Sequence, residues 1–238
     1  MSGICRNTQN RFIRNGDIMD PILILNIALT LSAAGGFTYG AVRYLKPHRP
    51  LYASMIVLGV GCIMLGRAYI LARHITGLPV MGIFHVGTLG TIGAFSFFFS
   101  SNYGQIDSLV DDGSRDLRKY RIIALSGTIF AVLMYAAIVV SDTTDVEKIT
   151  DGIVALSIGS ASYFHMKHIF IPDIDYGVVS CLRLFNILAF SYGILCMLEM
   201  GAIAYQTEWL IVTAIILETI VSAALIPALD KGVRAWSK

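Results

Sequence analysis

Seven apolar runs of about 19 to 22 residues follow one another along this chain, near 22–42, 51–72, 79–100, 122–140, 152–170, 179–200 and 209–229. At about 1.5 Å of rise per helical residue, each can cross a hydrocarbon core of about 30 Å. The connections are too short for a soluble domain. The expectation is therefore one all-α integral membrane protein, a seven-transmembrane-helix bundle over 21–229, with a polar tail at 1–20 and a short tail at 230–238. Charge content agrees: 14% of the 238 residues are charged, against about 25% in soluble domains. The fifth run is the most polar, diluted by Gly159, Ser160, Ser162, His165, Lys167 and His168.

Lysine and arginine collect in loops that stay cytoplasmic. Twelve lie on the side of the C-terminus: Arg43, Lys46, Arg49, Arg115, Arg118, Lys119, Arg121, Lys167, Arg183, Lys231, Arg234 and Lys238. Five lie on the other: Arg6, Arg11, Arg14, Arg73 and Lys148. This places the N-terminus outside and the C-terminus in the cytoplasm; initiation at Met19 would sharpen the bias by removing three outer arginines. The first run, span-length and without a small-residue cleavage site, reads as its own insertion signal. A bacterial plasma membrane suits a chain of this size and simplicity.

Lipid is as apolar as leucine, so membrane helices associate through small residues that let backbones approach. Gly36 and Gly40 in span one, Gly82, Gly87, Gly90, Gly93 and Ala94 in span three, and Ala155, Gly159 and Ala161 in span five mark expected crossings, with span three innermost. The glycines can alternatively mark bends.

Polar side chains inside a membrane face the bundle interior and often mark a site. Counting residues from the span ends places Arg67, His85 and Asn26 about 6 to 9 Å below the outer boundary, Tyr135 and Tyr192 at about 9 to 12 Å, and Glu218 at about 14 Å, near the midplane. The expectation is an outward-facing polar cavity walled by Asn26, Arg67, His85, Tyr135 and Tyr192, with Glu218 at its floor and Glu199 at its rim. Arginine offers a planar fork to a carboxylate or phosphate. Alternatively, Arg67 snorkels to the headgroups or pairs structurally with Glu199 or Glu218. Glu218, too deep to snorkel, must be protonated, paired or beside water.

His165 and His168, spaced i, i+3 beside Lys167, read as interfacial anchors, since two ligands without a third define no metal site. In the connection NYGQIDSLVDDGSRDLRKYR, Ile106, Leu109, Val110 and Leu117 can share an apolar face while Asp107, Asp111, Asp112, Asp116, Arg115, Arg118 and Lys119 stay wet. Residues 104–121 are a solvated turn or a dock for a cytoplasmic protein. The four aspartates lack calcium-loop spacing, and the four cysteines form no metal or disulfide pattern.

No P-loop, GxSxG or HExxH occurs, span seven has no lysine for a retinal Schiff base, and no cofactor motif or catalytic set emerges. The net charge of +2 is too small and scattered to suggest nucleic acid. Besides lipid, the expected partner is a small-molecule ligand. The leading expectation is a transporter or channel for a small polar or anionic solute; a membrane sensor signalling through a cytoplasmic partner is second, and an intramembrane enzyme third.

Overall fold

The computed structural model describes residues 21–78, 85–107, 110–111, 113–172 and 178–236. The N-terminal tail, the alternative start at Met19, and Gly82 and Asp112 lie outside these. Among the described residues there are seven α-helices: α1 (Pro21–Tyr44), α2 (Leu51–Ile75), α3 (Val86–Ser101), α4 (Arg118–Val139), α5 (Asp145–Phe170), α6 (Val178–Ala204) and α7 (Glu208–Trp236). A π-helical segment, Asn102–Asp107, continues α3. No strand occurs among the described residues.

Five of these helices, α1, α2, α4, α6 and α7, are long and apolar enough to cross a membrane, so the chain is a multi-pass membrane protein. The other two depart from the expected spans for different reasons. Helix α3 has only 16 residues: it starts at Val86, so His85 is its N-cap and not a residue six positions inside a helix. Helix α5 has 26 residues but is polar. Its polarity is turned inward, with Thr150, Ser162, His165, Lys167 and His168 buried while Ile149, Leu156 and Phe170 are exposed. Its start is fixed by a capping box, in which Thr144 Oγ1 accepts from the Glu147 N–H and Glu147 accepts from the Thr144 N–H.

Six helices close a ring in the order α1, α2, α3, α5, α6, α7, with α7 returning to α1; α4 sits outside it against α5 and α6. The residue-21 end, with the α2–α3, α4–α5 and α6–α7 connections, is called the upper end here. It is the one that the charge count places outside.

Small residues set the closest approaches. A Cβ at Gly90 would lie 2.7 Å from both the Cys62 carbonyl oxygen and the Gly66 Cα, and one at Gly66 would lie 3.0 Å from the Gly87 carbonyl oxygen. The α2–α3 crossing thus rests on backbone against backbone. In α1, Gly40 faces Val57 and Gly36 faces Val60 and Ile226, whereas Gly35 has nothing near it. Gly159 of α5 packs on Ala131 of α4.

Gly90→Ala must push α2 and α3 apart, so it should destabilise the protein by roughly 1–3 kcal/mol. Gly35→Ala should be neutral or stabilising by up to about 1 kcal/mol. Denaturant unfolding in micelles checks both, and equal effects at the two glycines would refute the close crossing.

Candidate functional site

Arg67 lies on the inner side of α2, four turns from its start, and crosses the ring to two helices. Its Nη1 donates to Glu199 Oε1 at 2.9 Å and its Nη2 to Glu199 Oε2 at 2.5 Å, a bidentate pair with α6. Nη2 also donates to Glu218 Oε2 of α7. Arg67 is 8% exposed and Glu218 is fully buried. One guanidinium therefore ties three helices together and faces two carboxylates away from water.

Above this triad is a cavity of about 240 Å³ between α2, α3, α5 and α6. Arg67 and Glu199 lie at its base with Cys196; His85, Thr88 and Thr91 contribute from α3, and Thr143, Glu147 and Asp151 from the α4–α5 side. Thr143 precedes α5, His85 precedes α3 and Ala204 ends α6, so the cavity lies toward the upper end. The His85 ring accepts from the Thr88 N–H at 3.3 Å and stacks on Tyr69, 5.7 Å between centroids. Cap and stack hold the imidazole at the cavity wall.

Of the seven expected site residues, Arg67, His85 and Glu199 line this cavity. Glu218 lies behind Arg67 and does not line it, and Tyr192 is buried beside Arg67 in a small crevice with Gly66 and Thr91. Asn26 and Tyr135 are elsewhere. The Asn26 amide donates to the Ile22 carbonyl of its own helix at 2.9 Å, and the Tyr135 hydroxyl donates to the Lys148 carbonyl at 3.1 Å, sealing α4 against α5. Counting along a span gives a level but no azimuth, and each found a partner on or beside its own helix. Glu147 and Asp151, which the sequence reading passed over, acidify the wall.

A second polar cluster at the lower end overturns two expectations. His165 and His168 are not interfacial anchors; both are 0% exposed. His165 Nδ1 lies 2.8 Å from Asn186 Oδ1, Asn102 Nδ2 donates to Asn186 Oδ1 at 3.1 Å, and His168 lies 3.1 Å from Asn102 Oδ1 and 3.3 Å from Asp107 Oδ1. Nor do Asp107 and Asp111 stay wet. Lys167 Nζ reaches Asp107 at 2.5 Å and Asp111 at 2.6 Å, and Arg121 Nε donates to Asp111 at 2.7 Å. Leu117, buried with Ile171 and Val179, pins the rest of the loop. The signal missed was a joint one: a lysine and two histidines on α5, and two aspartates and an asparagine in the segment between α3 and α4.

The loop carboxylates are electrostatically held. Hydrogen bonds from Arg121, opposed by burial, keep the Asp111 carboxyl far below the usual range. Burial pushes Asp107 up, but hydrogen bonds from His168 and Lys167 outweigh it and bring it below its ordinary value.

Three consequences can be measured. Arg67→Met leaves two buried carboxylates without their cation and should cost about 3–5 kcal/mol, most of it recovered when Glu199→Gln and Glu218→Gln are added. A loss under about 1 kcal/mol in denaturant unfolding would mean that the triad is not closed. At the lower end, a depressed carboxylate stabilises the fold above its unfolded value of about 3.9 and loses that effect as pH falls toward its folded value. Asp111→Asn should therefore melt below wild type at pH 6, with the gap narrowing toward pH 3; a constant gap would contradict the paired carboxylate.

No protein-family model, no curated protein and no solved structure matches this chain.

Proposed function

We propose that this protein is a membrane carrier that takes a small polar solute from the upper end of the bundle, in a plasma membrane with that end facing outward. The observation that carries the reading is the charge imbalance at the base of the cavity. Glu199 and Glu218 share the single guanidinium of Arg67, and the lining adds Glu147 and Asp151. With both acids ionised, two carboxylates and one arginine would leave one negative charge in a site removed from water, where an uncompensated charge is expensive. A proton, or a cationic group arriving through the cavity, restores neutrality.

The same geometry bears on the solute. An anion would have to displace Glu199 from both arms of the fork, so a neutral or cationic polar solute is favoured over the anionic one that Arg67 alone suggested. At about 240 Å³, the cavity is below the roughly 300–1,000 Å³ of drug-sized pockets. The solute has few non-hydrogen atoms. Arg67 bridges α2, α6 and α7, so displacing one carboxylate from it changes how three helices are held. That is the coupling between occupancy and conformation that a carrier requires.

The test pairs binding with flux. Melting curves of the purified protein against small amines, polyols and carboxylates should show stabilisation by a cationic or neutral compound, worth about 2.7 kcal/mol at a hundred times its dissociation constant. Glu199→Gln should lose the cationic stabilisation. Proteoliposomes with an imposed pH gradient should then accumulate the same compound. Binding without flux would favour the sensor reading, and stabilisation by carboxylates alone would reverse the assigned charge preference.

A further inference from the structure

The hydrogen bonds of the lower cluster limit where its protons can sit. Asn102 Nδ2 donates to Asn186 Oδ1, so Asn102 presents its Oδ1 to His168. That oxygen can only accept, and His168 Nδ1 must carry a hydrogen to make the 3.1 Å contact. On the other side of the ring, Nε2 faces Asp107 Oδ1 at 3.3 Å, and a carboxylate also only accepts. With the amides in this sense both ring nitrogens donate, which requires His168 to be an imidazolium. At the far end, His165 Nδ1 lies 2.8 Å from Asn186 Oδ1 and 3.0 Å from Asn102 Nδ2, so it can give a hydrogen to the first or accept one from the second, but not both. Either tautomer keeps one of the two contacts, and the buried Nε2 has no partner among the described residues.

Charge counting pulls the other way. The groups facing His168 are Asp107 and Asp111 from the loop, Lys167 and His165 from α5 itself, Arg121 from α4 through Asp111, and Arg183 from α6, whose guanidinium donates to the Ile171 carbonyl at 3.3 Å. Lys167 and Arg121 already balance the two aspartates. A charged His168 leaves the buried network with an excess positive charge. Hydrogen bonding thus favours the imidazolium while neutrality favours its loss.

The network also has a second consistent arrangement. If both amides turn over, Asn102 donates through Nδ2 to an unprotonated His168 Nδ1, and Asn186 donates through Nδ2 to Asn102 Oδ1, while His165 Nδ1 again pairs with one of the two amides. His168 keeps one hydrogen, on Nε2 toward Asp107. The amide of Asn186, whose Nδ2 is at present a buried donor without a partner among the described residues, then gains acceptors. One proton separates the two arrangements.

We propose that His168 is a proton-binding site opening at Asp107 toward the lower end, and that its occupancy sets the sense of the hydrogen-bond chain through Asn102 to Asn186. The π-helical segment makes the site possible. Its i→i+5 turn brings Asn102 and Asp107 over one another more nearly than an α-turn would, so both reach the same ring. Above the chain is an aromatic layer, with His165 against Phe98 and Phe185, Phe98 against Phe95, and Phe95 against Tyr192 beside Arg67. It separates this proton from the upper triad. The proposal is independent of the carrier reading.

Histidine-labelled full-length protein in lipid bilayers provides the test. Ring nitrogen chemical shifts, followed from pH 9 to 5, should show one buried histidine passing from a single ring hydrogen to two, with the amide signals of two asparagines moving in step. That resonance should vanish in His168→Gln. Should His168→Gln fail to fold, replacing His48, His74 and His85 by Gln leaves only the two buried rings to assign. Asp107→Asn should cut the imidazolium population at least roughly tenfold at the wild-type midpoint. A His168 ring with the same hydrogens throughout, or an unchanged ring in Asp107→Asn, would overturn the proposal.

Discussion

The contact on which the upper half of the bundle depends is the guanidinium of Arg67 against Glu199 and Glu218. Helix α2 meets its ring neighbours α1 and α3 through small residues and apolar surface, but α6 lies across the interior. The buried ions link them. Such a link is a poor source of net stability, since desolvation cancels much of the attraction, but it is highly specific. Only one azimuth of α2 aims Arg67 at both acids, and that choice fixes which faces of α3 and α5 close the cavity.

Helix number and the extent of five spans were legible because length and apolarity are properties of each segment alone. The pairing of Arg67 with Glu199 and Glu218 was legible only as an alternative. Counting along the spans put Glu199 at the rim and Glu218 on the floor, whereas long side chains bring both acids to one guanidinium, with Glu199 at the base of the cavity and Glu218 outside its lining. What depth could not supply was direction around the helix. Asn26 and Tyr135 sit at suitable levels, yet one turns back to its own helix and the other to the α4–α5 seam. His85 was misplaced for a different reason. The apolar run beginning at Pro79 suggested helix, whereas the described helix starts only at Val86, making His85 a cap at the cavity wall.

The lower cluster was illegible because its logic is pairwise. Taken singly, His165, Lys167 and His168 look like residues at a wet helix end, and Asp107 and Asp111 like a solvated turn. Brought together with Asn102 and Asn186, they pair with one another away from water, leaving only His165 Nε2 and Asn186 Nδ2 as buried atoms of these side chains without a partner among the described residues. Helix α5 shows a related pattern, burying Thr150, Ser162, His165, Lys167 and His168 beside Val154, Ile158 and Ala161 while Ile149, Leu156 and Phe170 face outward. Its composition dilutes the membrane signal, although its burial pattern suits a bundle whose surroundings are apolar.

The order of the chain gives these two networks different histories during synthesis. Asn102, Asp107, Asp111 and Arg121 all precede α5, so when Lys167 and His168 emerge nearly every partner is already present; only Asn186 is still to come. Arg67 is in the opposite position. Its acids lie on the last two helices, so from the appearance of α2 until α6 arrives its charge must be kept by water, headgroups or the insertion machinery. The lower half of the bundle can therefore settle as a nascent unit, while the upper half is completed only when the ring closes.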